Sequence, residues 1–336
     1  RGDTLLALNN LRTITGHGHL DRNSIILEYN GEQLLLDPGM IAYGDPNSRL
    51  YHSTFCHNTL TFSQRDQSPE RKCLDNGITH FLHMSGDRCP GIDGSIDWIT
   101  SDASQAYLEA ELFLRHILFL RPGIFVIIDE VKAKQPESIE LNFTCLGPLQ
   151  VRGNRIDAVS GVKGGGDEEE PYKCGYYEQE FLSTADRNTL TIHSQASSVL
   201  NYTFKNWGTT WPDTPSYRLI RSTAEPVESC TFMTALVPRS KGESLPTIDA
   251  IEIEYGLGVR VTSAGQEVVV TFQPERNSLS LDSLDTDARI AAINSIDHQE
   301  KAAAMLNGTI LQLNGETILA GDEGISGKIR RTDGWN

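Results

Sequence analysis

The chain has no Cys-x-x-Cys pair, no apolar stretch long enough to cross a membrane, and too few basic residues to balance its acids. Each absence removes a class of function. Its six cysteines, Cys56, Cys73, Cys89, Cys145, Cys174 and Cys230, are scattered. Neither a zinc knuckle nor a redox motif is signalled, and most are expected to be free and buried. The longest apolar run, 117–128, is interrupted by Arg121-Pro122-Gly123 and is too short to span a bilayer. Twenty-nine basic against 45 acidic residues leave a net charge of -16. That argues against nucleic acid, which requires a basic footprint. It also argues against electrostatic capture of a polyanion, unless a local basic cleft or a basic partner domain does that work. No G-x-S-x-G, P-loop or dinucleotide fingerprint appears, and Gly16-His17-Gly18 precedes no helix that could cradle a phosphate. The chain opens Arg1-Gly2-Asp3-Thr4-Leu5 without a methionine. Further polypeptide is therefore expected upstream, and the lack of a targeting segment decides nothing.

What is present is β-structure. With 336 residues, 38% of them hydrophobic, the chain can bury a large core. Residues 24–29 and 33–37 flank Asn30-Gly31, a type I′ hairpin signal. Residues 110–120 and 124–131 flank Arg121-Pro122-Gly123 in the same way. Further strands are expected at 139–145, 189–193, 231–237, 248–255, 258–262 and 267–273, with 309–313 and 316–320 around Asn314-Gly315. The alanine-rich stretch 285–306 contains good helix formers, but Asn294-Ser295 and Asp297-His298 interrupt it like turns, so it too is expected as strands. Many short strands at this spacing predict an all-β chain: a large stacked antiparallel β-sandwich, or super-sandwich. Residues 1–240 are expected to form the main sandwich and 241–336 a smaller C-terminal β-sheet domain, with a two-sheet form as an option. Residues 160–171, with three glycines and four acids in a row, read as a surface loop whose carboxylates are solvated.

Against this background one stretch carries chemistry. His17-Gly18-His19-Leu20-Asp21 is followed by Asp37-Pro38-Gly39 and then by His57-Asn58-Thr59. If 17–19 lie on a strand, the two histidines face one side. Asp37 falls at the rim where a hairpin arm ends, and His57 closes the run 53–56, expected as the next strand. Two histidines and one aspartate with an open fourth position suit a tetrahedral zinc. Separate, solvated rim residues are the other reading. Tyr43 and Tyr51 lie between Asp37 and His57, where a tyrosine could move a proton or simply cap the sandwich. Arg49 could hold a carboxylate. His80, His83, His116, His193 and His298 have no partner spacing and are expected to be structural or on the surface.

These motifs together, H-G-H-x-D, then D-P-G, then Y-G-D-P at 43–46, then S-T-x-x-H-N-T at 53–59, resemble the heparinase II/III-like polysaccharide lyases. Residues 115–120 and 125–130 resemble that family's strands beyond the site. The likeness is specific over residues 1 to 135.

The resemblance implies the following. The chain is the C-terminal sheet part, and an α/α toroid domain lies upstream or on a separate chain. His19, Asp37 and His57 hold Zn2+ in a structural or indirectly catalytic role. His17 faces the substrate, with Tyr43, or else Tyr51, as the sheet-side catalytic tyrosine. Asp21 and Asn58 orient the ligands. The reaction is β-elimination on a uronate-containing acidic polysaccharide, a glycosaminoglycan or alginate, in the periplasm or outside the cell. No nucleic acid and no membrane is implied as partner. A second reading, from another class, is a non-catalytic carbohydrate-binding or interaction sandwich that keeps the zinc as a staple. A staple needs only the three ligands, so the presence of His17 and Tyr43 favours the lyase. A cupin-like metal enzyme also uses H-x-H, but the D-P-G to H-N-T spacing and the long C-terminal sheet region count against it.

Overall fold

A computed structural model of the chain describes residues 4–10, 18–37, 39, 48–68, 78–83, 96–146, 149–152, 179–184, 188–210 and 214–330. The 160–171 loop lies outside them. Local signals place the hairpins. Asn30 and Gly31 have φ of 50° and 75°, and Asn314 and Gly315 have 52° and 78°. These are the left-handed pairs that a type I′ turn requires, and they join Ser24–Tyr29 to Glu32–Leu35 and Gln299–Leu313 to Glu316–Arg330. The alanine-rich segment is also strand: Ile290–Ile296 and Gln299–Leu313 pair across a tight turn at Asp297-His298.

The strands form three antiparallel sheets, so the chain is an all-β sandwich of stacked layers. The first sheet orders Thr4–Asn9, Ser24–Tyr29, Glu32–Leu35, Ile139–Leu146, Thr214–Thr223 and Leu200–Thr210, with Leu60–Phe62 also on Ile139–Leu146. The central sheet includes Asn188–Ala196, Val227–Ser240, Ile124–Glu137, Ala110–Leu120 and Ile96–Asp102 side by side. The third is built from strands between Thr247 and Arg330, hydrogen-bonded into one eight-stranded sheet.

The central sheet is buried on both faces, which explains why Ile124 to Ile128 is continuously apolar rather than alternating. Phe125 and Ile127 pack toward the first sheet, against Phe62, Leu141 and Phe143. Ile124, Val126 and Ile128 pack toward the third, against Val259, Val270 and Phe272. The third sheet's far face carries a smaller cluster of its own around Ala291, Ala303, Met305 and Leu311. Cys56, Cys145 and Cys230 are free and buried; the other cysteines lie outside the described residues.

His116 and His193 are interior residues. His116 bridges Thr100 and Glu130 at 2.8 Å on either side, and Arg289, in the bend just before Ile290–Ile296 of the third sheet, reaches the same Glu130. His193 faces Ala235 across its strand pair, and neither ring nitrogen has a hydrogen-bond partner. Burial, with a smaller push from the Arg221 charge, lowers its pKa from 6.5 to about 4. Between those values the unfolded chain takes up a proton that the folded chain refuses, so stability falls as pH drops from 6.5 toward 4. The contribution is on the order of 3 kcal/mol. Urea titrations across this range are expected to show a shallower acid limb for His193→Leu than for wild type. An unchanged limb would remove His193 as its source.

Candidate metal centre

The first sheet provides the frame of the site, and its loops bear the ligands. Asp37 lies just past Glu32–Leu35, and the strand end is held because the Leu36 N–H donates to the Thr144 carbonyl at 2.8 Å. Gly39 N–H donates to Asp37 Oδ1 at 2.9 Å, a local turn that aims the carboxylate back over the sheet. His57 follows a single 3-10 turn, Thr54–Cys56, and its N–H donates to the Thr54 carbonyl. His19 sits in the loop that enters Ser24–Tyr29.

Two expectations need correction here. His19 is not on a strand, and the run before His57 is a 3-10 turn rather than a strand. The i, i+2 argument for His17 and His19 therefore does not apply, because the ligand positions are set by loop contacts and not by strand period. His17 and Tyr43 lie outside the described residues. Tyr51 ends the short helix Ser48–Tyr51 and is buried, whereas Arg49 on the same turn is exposed.

One nitrogen or oxygen from each of His19, Asp37 and His57 lies within 4.8 Å of the others, and among the described residues no other such group occurs. Donor atoms around a tetrahedral zinc stand roughly 3.3 Å apart, given bonds of about 2.0–2.2 Å. Asp37 Oδ2 meets His57 Nδ1 at 2.9 Å. A carboxylate can only accept, so Nδ1 carries the hydrogen and Nε2 is the ring nitrogen left over. That Nε2 is buried and has no hydrogen-bond partner. A polar atom left in that state is costly, and a metal ion would satisfy it.

The electrostatics agree with a ligand set. His19 is held down to about 4 by burial first and by the charges of His57 and His52 next, partly offset by Asp37. Burial raises Asp37, but the His57 hydrogen bond and charge outweigh it and leave a carboxyl below its usual value. A neutral imidazole and an ionised carboxylate are the forms a metal needs. The donor set, two imidazoles and one carboxylate, suits zinc.

Asn58 links the elements beneath the ligands. It is fully buried, donates to the Ile25 and Leu36 carbonyls at 2.6 and 2.8 Å, and accepts from Thr144 N–H at 2.6 Å. It thus joins the residue before Asp37 to the residue after His57. Asp21 acts further out: its carboxylate accepts from Asn9 at 2.6 Å, and burial raises its pKa.

Sequence reasoning missed two contributors. The His52 ring lies against that of His19, tilted by 60° with centroids 4.3 Å apart, and the His52 carbonyl accepts from Leu20 N–H. Its position between the two ligand motifs was the available signal. Gln67 is buried and holds the Arg22 N–H and carbonyl from both sides, and no local pattern marks it.

Comparison with known proteins adds the following. Residues 7–160 match the family model described as heparinase II/III-like, C-terminal. Among solved structures, a heparinase III is similar at 15% identity and a TM-score of 0.57, over 80% of this chain and 39% of that one. Heparan sulfate lyase HepC from Pedobacter heparinus is similar at 15% identity and a TM-score of 0.59, over 82% and 40%. At that identity the likeness is one of fold. The chain spans about two fifths of the length of these structures. No curated protein matches it.

Proposed function

We propose that the chain is the sheet part of a polysaccharide lyase, because residues 7–160 match the heparinase II/III-like, C-terminal family model. Its substrate would be a uronate-containing acidic polysaccharide, cleaved by β-elimination. The observation that carries this reading is the convergence of His19, Asp37 and His57 within the matched region.

In such a reaction a base removes the C5 proton of the uronate. The electron pair forms the C4–C5 double bond as the C4–O bond breaks, and an acid protonates the leaving glycosidic oxygen. His17 is proposed to face the substrate, with Tyr43 as its partner in proton transfer. Tyr51 is buried, so it takes that role only if Tyr43 does not. A zinc held by His19, Asp37 and His57 would supply a cross-link between three chain segments. Neutralisation of the uronate carboxylate falls to a second wall, an α/α toroid domain upstream or on a separate chain. The net charge of -16 on the sheet part fits a basic half located elsewhere.

The full-length protein is expected to release an ultraviolet-absorbing unsaturated uronate from at least one of heparan sulfate, heparin, chondroitin, hyaluronan, alginate and bacterial exopolysaccharides. His17→Ala should abolish release while leaving bound zinc unchanged. Zinc binding without product from any of these glycans would replace the lyase with the non-catalytic carbohydrate-binding reading.

A further inference from the structure

Arg115 and Asp129 are direct partners on neighbouring strands of the central sheet. Phe113 and Ile117, two residues to either side of Arg115, belong to the apolar layer between the first and central sheets. The pair is therefore an ion pair inside an apolar core, with side chains 0% and 1% exposed. Its geometry is forked: Nε donates to Oδ1 at 2.7 Å and Nη2 to Oδ2 at 3.0 Å. An ion pair in such a place gains little net stability over apolar residues of the same volume. What apolar residues could not do is the work of the remaining nitrogen. Nη1 donates to the carbonyl of Asn58 at 2.8 Å and to the carbonyl of Asn23.

Those two carbonyls belong to the ligand-bearing segments. Asn58 directly follows His57, and Asn23 ends the loop that carries His19. Asn23 is itself in the left-handed region, with φ of 59°, and its side chain is tied to Ser101 of the central sheet by Ser101 Oγ at 2.6 Å. One guanidinium, oriented by Asp129, thus reaches from the central sheet and joins the His19 loop to the His57 turn. We infer that Arg115 and Asp129 are positioning residues for the metal centre: they set the spacing of His19 and His57 from beneath. This inference rests on the metal reading proposed above.

The test separates positioning from stability. In the full-length protein, Arg115→Met with Asp129→Leu replaces the pair by apolar side chains and leaves no buried charge. Its Tm is expected to fall, because the Asn23 and Asn58 carbonyls lose their donor, but by less than in Asp129→Ala, which leaves a buried charge unpaired. Zinc affinity, measured by chelator competition, is expected to fall about 10- to 100-fold, the usual cost of losing a group that orients ligands. The visible absorption of the Co2+-substituted protein should change, and hydrogen exchange should quicken at 18–24 and 54–60 but not elsewhere in the sheets. Arg115→Lys keeps the cation but loses the planar fork, and it is expected to show the same losses in milder form if the double variant does not fold. Wild-type zinc affinity and Co2+ spectrum in either folded variant would overturn the inference. If wild type itself binds no zinc, the metal reading fails. Exchange then tests only the hold of the pair on the two segments: faster exchange at both supports it, and unchanged exchange overturns it.

Discussion

His57→Ala is expected to remove the metal from a protein that otherwise carries about one zinc per chain. Three features make this the most damaging ligand change. His57 is the one fully buried member of the trio, its Nε2 has no other partner, and Asp37 already holds its Nδ1. Losing a ligand should cost more than the roughly 10–100-fold expected for an orienting group. Metal content after gel filtration should fall to background. A chelator should lower the Tm of wild type, whose folded state alone binds the ion, and leave the variant unmoved. His19→Ala should behave alike, with a smaller stability change because His19 is only half-buried. Either variant retaining a full complement of zinc would refute the ligand assignment.

Asp129→Ala is expected to be strongly destabilising. It leaves the Arg115 guanidinium charged and unpaired where its side chain is 0% exposed. Breaking one side of a buried pair costs about 3–5 kcal/mol, whereas removing both sides can be close to neutral. Urea denaturation should show that loss at unchanged m-value. A cost below about 1 kcal/mol would mean that water reaches the pair after the substitution, contrary to its burial.

The strands were readable because their signals are local. Asn-Gly turns demand left-handed backbone, and alternation or continuous apolar runs report one-sided or two-sided burial. The stretch 285–306 shows where such signals become ambiguous. Its alanines favour helix by propensity, yet Ala292, Ala302 and Ala304 face the central sheet while Ala291 and Ala303 face the outer cluster. Small residues on both faces of a strand reflect packing on both sides, which overrides propensity. The site was legible as residue types and spacing only. His19 and His57 looked like strand residues because short polar-apolar runs mimic alternation, and the loop and 3-10 turn that carry them are held by distant partners such as Thr144 and Arg115.

By itself the sequence determined that the chain is all-β, where its hairpins turn, and that His19, Asp37 and His57 form one candidate ligand set. These rest on contacts between near neighbours in the chain, or on motifs matched as strings. Only the tertiary structure decided that His52 packs against His19, that Asn58 joins the strand end before Asp37 to the turn at His57, and that a buried ion pair on another sheet grips both ligand loops. The physical reason is that buried carbonyls in irregular segments must find donors wherever the fold supplies them. Here the donor is Arg115, 57 residues beyond Asn58 and on a different sheet.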